Sequence, residues 1–573
     1  MCKVKKMYPL WGLLLSFPLW TVSCVDNKYD LDKDIDMTVN VGGEYLTIPA
    51  GSTDTAFLSK IIEVEAGDIL QPDAATRVYH LTKKDAIYVE PTEVEKVTVH
   101  GSETRLEKGL VYPSGLQIES INVELNESNS LEADAEEIDE ALKELGALEA
   151  QTPVAVTVAF EFGGDLKYAA VKAKNLKIKF PDFLVFEEGE VEEGNILTLN
   201  ETLSTEPRTL NVIGYKFGRK AGEGKPVVDG SISIKGDVSM QGVVEVTNIQ
   251  NTGSLGMVMH VTLDEMTINS VTGVIMPKIE AETTKIELND LPDFLKDEET
   301  RLDIANPVVL LKANNPLETP IEVGAVLTPL KNNTVVPGKT VEIASGDIVL
   351  ASGDNVIALS RTGECSIEGV TNNVKVEDIN NLLETIPDDI NVDLQPVVRN
   401  GNYYTVELGK AYDMLAQYEV DVPLSFEQGL NIVYNDSVRD LNKDLSDLDK
   451  VILKNAKIIL SVDNAIPLKL QLKPENVLIK DVYGNELTAV KKTIEEDKQY
   501  VAESTDGEKP ATSEVVLSLT SDDTAFLSKI DRICFKLTAV PGSATGVPLK
   551  DTQWLKVTSL KLSVPGGVNV DLN

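Results

Sequence analysis

Short runs in which apolar and polar residues alternate dominate the chain. Ile232, Ile234, Val238 and Met240 alternate with polar residues, and this period of two is typical of a strand with one face on a core. Lys235-Gly236-Asp237, within that run, has the composition of a hairpin turn. Similar alternation surrounds further apolar residues: Val97 and Val99, then Ile458, Leu460 and Val462.

A few runs are apolar throughout. Val308–Leu311 follows Pro307 and predicts a strand that is buried on both faces. Because such strands are separated at short intervals by Gly, Pro and Asn, the patterns predict a mainly β fold. The expected architecture is a series of tandem β-sandwich, immunoglobulin-like domains with small helical inserts.

Three stretches predict helices. In the strongest one, apolar residues at steps of three and four mark one helical face: Leu131, Ala135, Ile138, Leu142 and Leu145. Ser130 would cap this helix and Gly146 would end it. Two shorter helices are expected over Val376–Thr385, before Pro387, and over Lys410–Gln417.

Similar segments near the two ends of the chain indicate duplication. Residues 52–61 recur as residues 521–530, with nine of ten positions identical. Asp54 in the first copy and Asp523 in the second are each expected to cap a short helical turn whose Phe, Leu and Ile face a core.

Two weaker sequence similarities also indicate duplication. Residues 181–184 return as residues 292–295, and the stretch from Asn315 to Ile321 resembles the one from Asn464 to Leu468. An Asn followed by Pro beside an aliphatic residue marks a strand that leaves its sheet.

At 573 residues, a chain with about 150 residues in each domain should contain three or four domains. We predict the following organisation: a signal peptide over 1–23, a lipidated acidic tether over 24–45, a β-rich domain with one helix over 46–175, β-sandwich domains over 176–285 and 286–410, and a C-terminal β-sandwich domain over 411–573.

The N-terminus has the pattern of a secretory signal. Basic residues precede an apolar stretch from Met7 to Val22, and the small residue Ser23 stands before Cys24. A membrane-spanning helix needs about 20 apolar residues. This shorter run, interrupted by Pro9 and Pro18, therefore predicts a cleaved signal, with an uncleaved membrane anchor as the alternative.

Thr21-Val22-Ser23-Cys24 resembles a lipobox, where signal peptidase II cuts before a lipid-bearing cysteine. Thr21 stands where Leu is common, which is similar to the looser lipoboxes of Bacteroidetes. The resemblance implies acylation of Cys24, including palmitate-type N-acylation, and therefore three chains. Each buried CH₂ contributes about 0.8 kcal/mol and one chain binds only marginally, so three would anchor the protein permanently.

The residues after Cys24 are acidic and poor in large apolar side chains. Val25–Asp36 is therefore expected to be a solvated tether. It is similar to the acidic export signals that send Bacteroidetes lipoproteins to the outer face of the outer membrane. The resemblance favours the cell surface, and the periplasmic face of that membrane is the alternative.

Composition excludes some partners. A net charge of −39 argues against nucleic acid, because phosphate binding needs a cationic surface. Aromatic residues make up only 5% of the chain, which argues against the stacking platforms of sugar-binding modules. A local patch of tyrosines stays open as an exception: Tyr403, Tyr404, Tyr412 and Tyr418.

Cysteine and histidine are too sparse to suggest a metal or redox site. Cys365 and Cys534 are expected to be separate, half-buried thiols, although an oxidising compartment would permit them to pair. His80 and His100 have no second His or Cys at ligand spacing. His260 falls on the polar side of an alternating run and is predicted to face outward.

Motifs that suggest chemistry fail on inspection. Gly218–Lys225 resembles a phosphate loop, but Glu223 occupies the place of its second essential glycine. Asp30–Asp36 and Asp440–Asp447 resemble calcium loops, yet neither has the required Gly and Glu. We therefore predict no catalytic residue, cofactor or metal. A pair of carboxylates assembled in space stays open, because it leaves no local signature.

Three short sequences resemble the O-glycosylation motif of Bacteroidetes proteins: Asp54-Thr55-Ala56, Asp436-Ser437-Val438 and Asp523-Thr524-Ala525. The resemblance implies glycans on Thr55, Ser437 and Thr524.

Cys24, the acidic segment over 29–36 and the β-rich body together resemble the uncharacterised multi-domain surface lipoproteins of Bacteroidetes. This resemblance implies a location rather than an activity. The first hypothesis is a membrane-anchored surface protein with a non-enzymatic role in binding, adhesion or assembly, whose partner is a protein or a glycan. The alternatives are a glycan-binding accessory lipoprotein of an outer-membrane uptake system and a hydrolase with dispersed carboxylates.

Overall fold

A computed structural model describes residues 39–41, 45–62, 64–65, 67–113, 118–288, 291–292, 295, 297–399, 401–442, 451–566 and 568–570. The predicted signal peptide, Cys24, almost all of the acidic tether and part of the 292–295 repeat lie outside these residues.

The chain is mainly β, as the sequence predicts. Strands β1 to β14 are Val39–Val41, Tyr45–Gly51, Ala56–Phe57, Leu70–Pro72, Tyr79–Ile87, Thr98–Gly101, Glu103–Tyr112, Ile118–Ala135, Leu142–Gly164, Ala170–Lys179, Leu184–Phe186, Ile196–Leu199, Arg208–Lys216 and Lys225–Pro226. Strands β15 to β27 are Ile232–Ile249, Gly253–Leu263, Met266–Ile275, Thr284–Glu287, Val308–Asn315, Ile321–Lys331, Thr334–Val335, Val341–Leu350, Gly353–Ser360, Asn372–Lys375, Asp389–Val398, Tyr404–Glu407 and Ala416–Pro423.

Strands β28 to β38 are Ile432–Val438, Val451–Ile452, Asn455–Asn464, Lys469–Gln471, Val477–Lys480, Lys491–Ile494, Tyr500–Val501, Ala511–Thr520, Arg532–Val540, Trp554–Pro565 and Val568–Val570. The described α-helices, α1 and α2, are single turns at Leu58–Ile61 and Asn381–Glu384, and 3-10 turns lie at Pro474–Asn476, Glu496–Lys498 and Phe526–Lys529.

The sheets divide the chain into three units, which we name by their order from the chain ends. The terminal unit contains β1–β3 and β28–β38, the middle unit β4, β5, β18–β25 and β27, and the inner unit β6–β17 and β26. In the terminal unit a sheet in the order β2-β37-β30-β35-β33 faces one in the order β28-β36-β31-β34. Alternating residues such as Leu460 and Val462 fill the space between them.

The middle unit packs the sheet β24-β23-β19-β27-β5-β4 against the sheet β18-β25-β20-β21. In the inner unit, long antiparallel strands form two sides, β8-β15-β10-β12 and β7-β16-β9-β13-β11, which β6 and β17 join. Apolar residues of both sides, among them Leu125 and Met257, belong to one continuous core.

The units are nested rather than consecutive. β2 pairs with β37 and β5 pairs with β27, so strands near the N-terminus complete sheets whose other strands come from the C-terminal half. The chain therefore passes from the terminal unit through the middle unit into the inner unit and returns. These pairings join segments across the predicted boundaries at 175, 285 and 410, and those boundaries stay a prediction.

The helix predicted over 131–145 is wrong, because β8 extends to Ala135, β9 begins at Leu142 and a turn joins them. Leu142, Leu145 and Leu148 are all buried in β9, although an ideal strand buries every second residue. The pairing of β9 with β17 shifts register twice in this stretch, and each shift leaves one extra residue on β9. Two β-bulges thus produce the spacing of three that imitates a helical face.

Three smaller expectations also change. The helix over Val376–Thr385 shortens to α2, and the one over Lys410–Gln417 is wrong, because β27 begins at Ala416. The hairpin turn at Lys235–Asp237 is wrong as well, since Gly236 lies inside β15 opposite Leu131. A Cβ on Gly236 would come within 2.9 Å of the Phe183 ring, so close packing explains this glycine.

The repeat at 52–61 and 521–530 is conserved more in sequence than in structure. In the second copy Phe526, Leu527 and Ile530 are buried, as predicted. The Asp523 carboxylate accepts a hydrogen bond from the Ala525 amide, but Ala525 is the N-cap of the 3-10 turn and no side chain caps it, so the predicted capping role of Asp523 is wrong. In the first copy α1 has no side-chain cap, so the predicted role of Asp54 is wrong. Leu58 is buried there, whereas Phe57 and Ile61 are exposed.

Candidate interaction surface

The residues predicted to carry glycans lie in different settings within the terminal unit. Ser437 lies in β28 opposite Cys534, and its hydroxyl accepts a hydrogen bond of 3.1 Å from Arg439 Nε. Thr55 precedes β3, and Thr524 precedes a 3-10 turn; both are half-buried. The structure does not bring the three together, and their glycosylation stays a prediction.

The sparse cysteines and histidines differ in what surrounds them. Cys365 and Cys534 are free, half-buried thiols, as expected. Each histidine ring, in contrast, contacts a carboxylate: His80 Nδ1 lies 2.5 Å from Asp421, and His100 Nδ1 lies 2.9 Å from Glu265. These partners were missed, because they come from segments remote in sequence.

His260 occupies the centre of an exposed sheet face, which confirms its predicted outward direction. Its Nδ1 lies 2.8 Å from Glu103 on β7, and its Nε2 lies 3.2 Å from Glu161 on β9. Arg105 also donates to Glu103, at 3.0 Å. We call this outer side of β7, β16 and β9 the histidine face.

Charge on the histidine face depends on protonation of the imidazole. A carboxylate only accepts hydrogen bonds, so both contacts of His260 are hydrogen bonds only when both ring nitrogens carry protons. The hydrogen bonds from His260 and Arg105 hold the pKa of Glu103 below its usual value. The face therefore presents an ionised Glu103 beside one histidine and one arginine.

Three glycines form a row across the histidine face. Gly256 of β16 lies opposite Gly109 of β7 and opposite Gly163 of β9. A Cβ on Gly109 or Gly163 would meet no atom within 4 Å, and one on Gly256 would only touch the Gly163 carbonyl oxygen at 4.0 Å. Packing therefore does not require these glycines. They leave a strip without side chains between Val258 and Ser254 of β16.

The loop over Gly218–Lys225 is a turn whose backbone amides bind a carboxylate. The Glu144 carboxylate accepts hydrogen bonds from the Gly222 and Gly224 amides, at 2.9 and 2.7 Å, and from the Tyr403 hydroxyl, at 2.5 Å. The hydrogen bond from Tyr403 is the main reason that the pKa of Glu144 is lowered. The Tyr403 ring lies against Gly146, which explains this glycine without a helix end.

The tyrosines considered as a sugar-binding patch do not form one. Tyr404 and Tyr418 are buried in the core, and Tyr403 is held by Glu144. The hydroxyl of the half-buried Tyr412 accepts the Glu407 amide. The idea of an aromatic platform at these positions is therefore wrong.

The middle unit encloses an apolar cavity of about 30 Å³ between its two sheets. Side chains of both sheets line it, among them Leu81, Val309, Ile390 and Val422, and no carboxylate belongs to the lining. Within the described part of the chain, no three His, Cys, Asp or Glu side chains are placed to hold a metal ion. In the same part, no helix is long and apolar enough to cross a membrane.

Comparisons with protein-family models and with curated proteins find no match. Among solved structures, a Parabacteroides distasonis protein inferred to be secreted aligns over 52% of this chain and 83% of its own, with 17% identity and a TM-score of 0.36. The infectious bursal virus T=1 particle protein aligns over 88% of this chain and 83% of its own, with 7% identity and a TM-score of 0.14. These likenesses are too weak to transfer a fold or a function.

Proposed function

We propose that the chain is a lipoprotein of the outer membrane whose body stands at the cell surface and acts in binding, adhesion or assembly without catalysis. The proposal rests on one observation in the sequence, which is that Ser23-Cys24 directly follows the apolar stretch Met7–Val22. Acyl chains on Cys24 would hold the protein at the membrane.

The nesting of the units supports this role. Val39 in β1 pairs with Val570 in β38, so the first described strand belongs to the terminal unit. An anchor at Cys24 would therefore attach the terminal unit to the membrane. The inner unit follows only after the middle unit along the chain, and its histidine face and glycine row are open to a partner.

The anchor is tested with Cys24→Ala in the full-length precursor. We expect this variant to lose labelling by an alkyne fatty acid and to leave the membrane fraction, while the control Cys365→Ala keeps both. Protease added to intact cells should cleave the wild-type body if it faces outward. Membrane retention of Cys24→Ala would contradict the lipid anchor and favour an uncleaved signal.

The binding role is tested on the purified body. We expect no turnover on polysaccharide or peptide substrates. Specific binding of a saccharide on a glycan array would instead favour the alternative, a glycan-binding accessory lipoprotein of an uptake system. Hydrolysis that survives repurification would contradict the non-enzymatic role.

A further inference from the structure

Among the described side chains of the terminal unit, the most exposed apolar ones lie on one tight turn. Tyr483 is 87% exposed and Val482 is 57% exposed. The turn follows β32 and is closed at its base by a hydrogen bond of 2.9 Å from the Asp481 amide to the Asn485 carbonyl. We call residues 481–485 the tyrosine turn.

Hydrogen bonds fix the shape of the tyrosine turn. The Asp481 carboxylate accepts the Tyr483 amide at 2.9 Å and the Asn485 amide at 2.8 Å. Gly484, at φ +84°, supplies the left-handed residue. Because the backbone is held in this way, the two apolar side chains are presented to the solvent.

The tyrosine turn lies at the end of the unit where the chain begins. The carbonyl of Lys480, next to the turn, accepts the Asp531 amide, and the Asp531 carbonyl accepts the Leu441 amide. From the same end, Val451 of β29 pairs with Val570 of β38, which pairs with Val39 of β1. The tether to Cys24 therefore starts from the end that carries Tyr483.

The segment that carries the tyrosine turn is less acidic than the chain as a whole. The chain carries −39 overall, yet residues 480–492 contain three lysines against one Asp and one Glu. Asp481 is engaged in the turn, and Glu486 lies 3.2 Å from Lys492 Nζ. Tyrosine beside lysine is typical of residues at a membrane–water interface, where an aromatic ring sits at headgroup depth.

We propose that the tyrosine turn is a second membrane contact, which inserts Val482 and Tyr483 into the interface of the bilayer that holds Cys24. This proposal rests on the lipid anchor proposed above. The residues between Cys24 and Val39 reach at most about 50 Å, so the turn stays close to the bilayer. Once the anchor is in place, weak apolar contacts suffice, because the second contact forms within one attached molecule.

The test uses the lipidated mature protein in phosphatidylethanolamine–phosphatidylglycerol vesicles with brominated acyl chains. Trp554 is the sole tryptophan after residue 23, so Trp554→Phe provides a background without tryptophan. In this background Tyr483→Trp should be quenched and shifted to shorter wavelength. The matched control is Tyr88→Trp at a position that is 56% exposed in the segment after β5; it should stay unquenched.

Flotation of the vesicles reports the anchor separately. Protein that floats but shows no quenching at Tyr483→Trp, or equal quenching at Tyr88→Trp, overturns the second contact and leaves the anchor intact. Protein that stays out of the vesicle fraction overturns the anchor and the second contact with it. We expect Val482→Ser with Tyr483→Ser to float like the wild type while vesicles no longer protect the turn from protease.

Discussion

Asn315 and Asn464 make the same three hydrogen bonds in two different sandwiches. Each ends a central strand, β19 or β30, and each side chain is at most 1% exposed. In both cases Nδ2 donates to the carbonyl four residues later and to a distant carbonyl, while Oδ1 accepts the amide two residues later. The partners are Thr319, Leu350 and Leu317 for Asn315, and Leu468, Ala502 and Ile466 for Asn464.

Asn464→Ala should lower the free energy of unfolding by about 2–5 kcal/mol, because each buried group left without a partner costs about 1–3 kcal/mol. Asn315→Ala should have an effect of similar size. Urea denaturation of the soluble body measures both. The control Asn314→Ala removes only a hydrogen bond of 2.8 Å to Asp354 and should change stability by about 0.5 kcal/mol or less. An equal effect of all three would contradict a shared structural role.

The strand ends at Asn315 and Asn464 could be predicted from the sequence, because the Asn and Pro that mark them are close together in the chain. The distant carbonyls of Leu350 and Ala502 could not be predicted as their partners. The nesting could not, since pairing of Val39 with Val570 depends on residues at opposite ends of the chain. The bulges in β9 led to the wrong prediction of a helix, because two extra residues changed the alternation of buried residues into steps of three. The partners of His260 could not be predicted either, because they depend on the register between strands that are remote in sequence.

Two buried tyrosines should respond in opposite ways to loss of the hydroxyl. Tyr215 is buried, which raises the pKa of its phenol, and its hydroxyl has no hydrogen-bond partner among the described residues. Tyr404 donates a hydrogen bond of 2.9 Å to the Ile275 carbonyl. Tyr215→Phe should therefore leave stability unchanged or raise it, whereas Tyr404→Phe should cost about 1 kcal/mol. Thermal unfolding of the two variants side by side tests this, and a larger loss for Tyr215→Phe would contradict it.

The glycine row of the histidine face should accept alanine. Gly109, Gly163 and Gly256 have space for a Cβ, and a Gly→Ala change without strain stabilises by about 0.4–1 kcal/mol through the unfolded chain. Gly273 in β17 is the control, because a Cβ at this position would collide with the Glu144 carbonyl oxygen. Urea denaturation should show gains for the first three and a clear loss for Gly273→Ala. Losses in the row would indicate a backbone constraint specific to glycine.

The turn that binds Glu144 should open in acid. Hydrogen bonds from Tyr403, Gly222 and Gly224 lower the pKa of Glu144 from its usual 4.5. A lowered pKa in the folded state contributes stability that is complete above the unfolded value and is lost as pH falls through the folded value. Hydrogen exchange of residues 217–227, corrected for the intrinsic pH dependence, should therefore accelerate below about pH 4.5.

The same exchange measurement at neutral pH separates the contributions of Tyr403 and Glu144 to the stability of this turn. Tyr403→Phe removes one donor and should accelerate exchange of residues 217–227 moderately, while Glu144→Ala removes the acceptor and should accelerate it most, because the Gly222 and Gly224 amides then lose their partner. Glu140→Gln, on the exposed side of the preceding turn, serves as the control. If exchange in Glu144→Ala kept the wild-type rate and the same acid dependence, another group would be responsible for the titration and Glu144 would not hold the turn.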